Sequence, residues 1–403
     1  MINVAVLGYG TVGSGVVEVI ETNKALLNQR VGQELNVKYI LDLRDFPGDP
    51  YENKVVHDFE TIVNDSEINV ICEVMGGVGA AYAFTKQALE KGISVCTSNK
   101  ELVAKHGAEL LELAKANKCS YLFEASVGGG IPIIRPLNTA LTAEKIEAII
   151  GILNGTTNYM LTKMEREGAD YAEVLKEAQE KGYAERNPEA DVEGHDACRK
   201  IAIVSSLMMG KNVDSEKIVT EGITKVTAAD FVYAKAADSS IKLLAQSKAV
   251  GDGEVLAMVA PFMIGKEHPL AMVNDVFNAV FVTGNMLGDS MYYGKGAGKL
   301  PTASAVVADV VDCAKSLGTS LPCFWEKEEV KLADVAEVEW KYFLRVSADA
   351  KEAVEAAFPG GEMITVAERT EDFGYITTVM KEKDFAAKCA GLGDKVLSKI
   401  RLA

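Results

Sequence analysis

In the stretch 180-EKGYAERNPEADVEGHDACRKIAIVSSLMMG-210, charged residues crowd against an abruptly apolar segment. Glu185, Asp191, Asp196 and Lys200 are the residues here whose types could do chemistry. Asp196 and Lys200 are four apart, so a helix places both on one face. The plain alternative is an exposed ion pair worth only about 0.3 kcal/mol. Their company favours a site, because the IAIVSSLMM that follows must be buried. A lysine held beside a carbonyl can donate the proton that accompanies hydride delivery, and adjacent carboxylates can bind a substrate ammonium.

Hydride delivery needs a nicotinamide, and the chain opens with a place for one. The run 8-GYGTVG-13 is a GxGxxG directly after an apolar strand, 2-INVAVLG, and at the start of a helix. Gly8 permits a tight turn, Gly10 lets backbone approach a pyrophosphate, and Gly13 allows close helix–sheet packing. The helix start, with Thr11 and Val12, presents N–H groups and a positive dipole end to the phosphates. At the end of the second strand, Asp42 would favour NAD by bonding the ribose hydroxyl. Arg44 could instead hold the 2′-phosphate of NADP. Both choices stay open.

The elements that must position these groups follow a recognisable order. The first 135 residues alternate short apolar strands, such as 36-NVKYILDL, 69-NVICEVMGG, 93-ISVCTS and 120-SYLFEAS, with amphipathic helices near 13–28, 80–91 and 101–117. This predicts βαβ units and an α/β, Rossmann-type doubly wound parallel sheet over residues 1–135, completed by a helix near 301–318. Residues 136–300 mix helices with the apolar runs 148-AIIGIL and 255-VLAMVAPFMI, which predicts an α+β substrate and dimerisation domain. Residues 336–403 read β-α-β-β-α, a small separate regulatory-type domain.

Composition narrows the class. With 403 residues and 48% apolar content, the chain can fill two or three cores. The net charge of −16 argues against nucleic acid. No apolar run reaches the roughly 20 residues of a membrane span. Cys72, Cys96, Cys119, Cys198, Cys313, Cys323 and Cys389 are scattered without a framework, and the chain opens without a basic leader. The expectation is a cytoplasmic enzyme acting on a small molecule, as a homodimer or higher homo-oligomer.

The run 182-GYAERNPEADVEGHDACRK resembles the signature of homoserine dehydrogenases. The resemblance continues in order through 73-EVMGG, 97-TSNKELVA, 124-EASVGGGIPII, 151-GILNGTTNYML, 242-KLLA, 268-HPLA and 293-YGKGAGKLPTASAVVAD. It implies NAD(P)H-dependent reduction of L-aspartate 4-semialdehyde to L-homoserine, on the path to threonine, methionine and isoleucine. Lys200 would be the proton donor and Lys100 the second catalytic lysine. Glu185, Asp191, Asp196 and Thr156 would bind substrate, and Gly296 and Gly298 would close over the cofactor. The resemblance also implies a sodium loop built from backbone carbonyls at Glu124, Val127, Gly129 and Ile131, for which a structural hairpin is the plain alternative. It makes the C-terminal domain ACT-like. However, 348-ADAKEAVE lacks the Pro and Gly of the family's effector loop, which puts threonine binding there in question.

Two other functions are weighed. An aspartate-semialdehyde dehydrogenase needs an activated Cys nucleophile, and Cys198 has no base arranged beside it in the sequence. An NAD(P)-binding regulatory sensor would not need Lys100, Glu185, Asp196 and Lys200 together.

Overall fold

A computed structural model describes residues 1–251 and 253–403. The chain forms two compact units: Met1–Glu147, Ala202–Glu216 and Thr283–Val330 in the first, and Ala148–Ile201, Lys217–Val282 and Lys331–Ala403 in the second.

The first unit begins with β1 (Ile2–Leu7), α1 (Thr11–Thr22), α2 (Lys24–Val31) and β2 (Leu35–Leu41). It continues through β3 (Val55–Val56), α3 (Phe59–Val63), β4 (Ile68–Glu73), α4 (Gly79–Glu90), β5 (Ser94–Thr97), α5 (Lys100–Ala116) and β6 (Tyr121–Leu122). The strands form one parallel sheet in the order β3-β2-β1-β4-β5-β6. Every side chain of β1 is buried, as expected of a parallel strand covered on both faces. Strand order reverses at β1, and ligands of such sheets bind beyond the carboxyl ends of the strands at that point. Later segments return to this unit. Strand β8 (Lys211–Asn212) pairs with β14 (Glu326–Glu329), and β13 (Gly288–Lys295) leads into α11 (Lys299–Lys315). Helix α11 packs Ala303, Val306 and Val310 into one core with Val16, Val17 and Ile20 of α1. The contact is close because α1 carries Gly15, where a Cβ would lie 2.9 Å from the Lys299 carbonyl oxygen.

The second unit holds β7 (Ile146–Ile152), α6 (Gly155–Glu167), α7 (Tyr171–Glu180), α8 (Glu189–Val192) and α9 (His195–Met209), the last running past the division at residue 201. It then has β9 (Val219–Thr220), α10 (Ala228–Ala236), β10 (Ser239–Val250), β11 (Glu254–Gly265) and β12 (Phe277–Gly284). The remainder is β15 (Lys331–Leu332), β16 (Glu339–Ser347), α12 (Lys351–Ala357), β17 (Glu362–Ile364), β18 (Asp372–Ile376), β19 (Met380–Lys381), α13 (Glu382–Leu392) and β20 (Val396–Leu402). The sheet runs β12-β7-β10-β11-β20-β16-β18-β17.

Four expectations differ from the structure. The helix expected over 13–28 is two helices, because the first ends with Asn23 as its C-cap and the second starts at Lys24. The C-terminal order is β-α-β-β-β-α-β: the two-residue β19 precedes α13, Gly393, at φ 59°, ends α13, and the last residues form β20. Finally, residues 336–403 do not stand apart. Strand β20 pairs with both β16 and β11. The buried Arg401 donates to Glu221 and Glu382, and Arg345 reaches Asp230 and Asp372. The expected boundaries at 135/136 and 300 differ as well, since 136–147 and 202–216 belong to the first unit. Among the described residues, no helix is long and apolar enough to cross a membrane.

Candidate active site

The glycine turn lies where β1 hands over to α1. Gly8 has φ 93°, a conformation glycine reaches without strain, and a Cβ there would lie 3.1 Å from Met75. A Cβ on Gly13 would lie 1.8 Å from the Gly8 carbonyl oxygen, so the turn itself excludes any other residue. Gly10 is different. Among the described residues, a Cβ there meets no atom within 4 Å, which leaves the outside of the turn open to a ligand. The N-cap of α1 is Gly10, which has no side chain to cap it, so the first N–H groups of the helix suit a pyrophosphate. Thr11 is exposed and Val12 half-buried beside them. These features fit a dinucleotide.

The two candidates for the ribose end are bonded to each other. The Arg44 guanidinium donates to both carboxylate oxygens of Asp42 at 3.0 Å, and the Tyr9 N–H donates to the same carboxylate at 2.8 Å. Arg44, foremost, holds the Asp42 carboxyl well below the usual carboxylate range. Asp42 is thereby tied to the glycine turn, while Arg44 stays largely in solvent.

Lys100 is the first residue of α5 and is half-buried. The residue before it, Asn99, caps the helix by accepting the Leu102 N–H at 3.1 Å.

The loop after β6 carries the expected cation residues. Its Glu124 side chain is committed elsewhere, accepting the N–H groups of Ile133, Ile134 and Arg135 at 2.6–2.9 Å. Burial nevertheless raises the Glu124 pKa. Val127 and Ile131 are buried, and Gly128 and Gly129 have φ 73° and 56°. A Cβ on Gly129 would lie 2.3 Å from the Gly296 carbonyl oxygen, so this loop rests on the glycine segment before α11. Gly298, at φ 122°, is the N-cap of that helix.

The acid–lysine group is built in the second unit by the turn between β7 and α6. Asn154 is the N-cap of α6, its side-chain oxygen accepting the Thr157 N–H at 2.8 Å. Its amide nitrogen donates to Asp191 at 2.7 Å and to Asp196 at 2.9 Å. The Lys200 ammonium donates to Asp196 and to the Leu153 carbonyl, both at 2.7 Å. Asp196 and Lys200 are 6% and 9% exposed, which rules out the surface ion pair. Asp196 also lies in the first turn of α9, where the helix dipole favours a carboxylate.

Not every expected residue joins this group. Glu185 is exposed, with its backbone carbonyl accepting from Gln179. The Thr156 hydroxyl donates to the Tyr183 carbonyl at 2.7 Å and so braces the signature loop. Asn154, by contrast, joins the group through its amide. Its preference for N-caps after a strand was readable, but its grip on both acids was not.

The chain is similar to known proteins over most of its length. Residues 8–124 match the NAD binding domain profile of homoserine dehydrogenase, and residues 132–311 match the homoserine dehydrogenase profile. The homoserine dehydrogenase of Synechocystis is 45% identical over 317 residues, 77% of this chain and 73% of that protein. That of Bacillus subtilis is 42% identical over 323 residues, 78% and 73% of the two chains. The crystal structure of a homoserine dehydrogenase from Thiobacillus denitrificans superposes with a TM-score of 0.89 at 34% identity, covering 100% of this chain and 98% of that one. With a dinucleotide turn, a buried lysine–aspartate pair and relatives this similar, the chain belongs to the homoserine dehydrogenase family of oxidoreductases.

Proposed function

We propose that this enzyme reversibly reduces L-aspartate 4-semialdehyde to L-homoserine, a step toward threonine, methionine and isoleucine. A bound reduced nicotinamide supplies the hydride. Lys200 protonates the alkoxide as it forms, and in reverse its neutral amine accepts the hydroxyl proton. The observation that carries this reading is the buried ammonium held by Asp196 and the Leu153 carbonyl. Among the described residues these two acceptors take two of its three N–H bonds, leaving one for a substrate oxygen. Such a preorganised donor needs little rearrangement as charge develops. Lys100 adds positive charge at the reacting centre. Asp191, Asp196 and Glu185 are assigned to the substrate ammonium, and Thr156 to lining its site.

NADP is the proposed preference. Arg44 neutralises Asp42, so a 2′-phosphate would meet a guanidinium rather than a bare carboxylate. A hyperthermophilic archaeal homoserine dehydrogenase of the same fold, 29% identical, has been solved with NADPH. Sodium is proposed at the carbonyls of Glu124, Val127, Gly129 and Ile131, where a glycine-rich turn can offer the hard oxygen ligands such an ion needs.

The test is initial rates of homoserine oxidation with NAD and NADP, with and without sodium and threonine, for the parent and Lys200→Ala. The variant should lose most turnover and retain nucleotide affinity. Unchanged turnover would remove Lys200 from its role.

A further inference from the structure

At the carboxyl end of β4, Glu73 is completely buried, yet among the described residues both groups that bond its carboxylate are neutral. The Met75 N–H donates to one oxygen at 2.8 Å, and the Thr97 hydroxyl donates to the other at 2.6 Å. Burying a carboxylate without a cation is costly, and burial pushes this carboxyl up to about 7. Apolar or amide side chains could fill the space more cheaply. A group retained at such cost beyond the strand ends of a parallel sheet points toward function.

The bonds beyond Glu73 lead to a definite place. While its O–H donates to Glu73, the Thr97 hydroxyl oxygen accepts the Asn99 N–H at 2.9 Å. Asn99 then caps α5 through Leu102 and donates from its side chain to the Gly77 carbonyl at 2.6 Å. The next residue is Lys100. Above a pH of about 7 this carboxyl is ionised and can only accept, so it dictates which way the Thr97 hydroxyl points. With that direction set, the hydroxyl lone pairs must face the Asn99 peptide. On the other side, Val74 and Met75, the residues after Glu73, approach Gly8 of the nucleotide turn.

We propose that Glu73 is a positioning residue, which through Thr97 and the Asn99 cap sets the start of α5 and the placement of Lys100. The inference rests on the role given to Lys100 above. A glutamine at 73 could offer its NH₂ to Thr97, let the hydroxyl turn round and release the Asn99 peptide.

The experiment is steady-state homoserine oxidation with NADP for Glu73→Gln, Thr97→Val, Thr97→Ser and Lys100→Ala, and for Glu73→Gln combined with Lys100→Ala. Nucleotide dissociation constants and thermal melts are measured alongside. Glu73→Gln and Thr97→Val should each lower kcat about 10- to 100-fold, the range that small misplacements produce. Thr97→Ser, which keeps the hydroxyl, should stay near the parent, and nucleotide affinity should change less than about threefold. Adding Glu73→Gln to Lys100→Ala should cause no further loss, because both act through one group. Should Glu73→Gln fold poorly, Thr97→Val probes the same relay with almost no change in volume. Parent-like kcat in both single variants, or an equal added loss in the Lys100→Ala background, overturns the inference. Parent turnover in Lys100→Ala alone would instead remove the lysine's own role, and this inference with it.

Discussion

Asn154 offers the sharpest test of how the acid–lysine group is held. Its side chain does two jobs from one position: the oxygen caps α6, and the nitrogen holds Asp191 and Asp196. Asn154→Ser separates them, since serine also caps helices but cannot reach both acids with an amide. Hydrogen bonds to charged groups contribute roughly 1.5–3 kcal/mol. Asp191 is half-buried, so water can replace much of its lost partner. Asp196 is buried and cannot be compensated so easily. The serine variant should therefore unfold about 2 kcal/mol more easily. Asn154→Ala, which also loses the cap, should cost about 1 kcal/mol more. Both should lower kcat, because Asp196 is one of the two groups orienting Lys200, and a displaced ammonium costs up to about 100-fold. Urea denaturation followed by fluorescence reads the first effect, and homoserine oxidation reads the second. A serine variant as stable and as active as the parent would refute the reasoning, since the amide's two bonds would then hold nothing in place.

Two further outcomes are expected. Gly10→Ala should fold and melt like the parent, because the added methyl meets no atom of the described residues within 4 Å. It should nevertheless raise the dinucleotide dissociation constant at least about 10-fold, the cost of keeping backbone from the pyrophosphate; unchanged binding measured by fluorescence titration would contradict this. Lys242 is fully buried against the Val273 carbonyl and the Asn274 side chain, and burial lowers its pKa to about 8. A depressed folded-state pKa means that the unfolded chain binds the proton more tightly. This contribution to stability is therefore present above the unfolded value of 10.5 and is lost as pH falls toward about 8. It should amount to about 3 kcal/mol across that window, and denaturation curves of Lys242→Met should lack that slope.

The local sequence was enough for the nucleotide half. Strand β1, the glycine turn and α1 follow one another within a few residues, and their geometry depends on short-range sterics: Gly13 must be glycine because the Gly8 carbonyl is beside it. The i, i+4 spacing likewise put Asp196 and Lys200 on one helical face before any fold was known. The apolar run after it requires that face to be buried.

Other features depended on partners far along the chain. Residues 396–402 could not be told from a continuing helix until Gly393 ended α13 and β11 and β16 supplied strands to pair with. Asn154 reads as a simple cap in sequence, and only folding brings Asp191 and Asp196, 37 and 42 residues away, to its amide. The same holds for Glu73, whose link to Thr97 exists because β4 and β5 lie side by side in register. Short-range sterics and helical periodicity are written into neighbouring residues. Hydrogen bonds between distant side chains are decided only when packing removes water and leaves each buried polar group to find a partner within the protein.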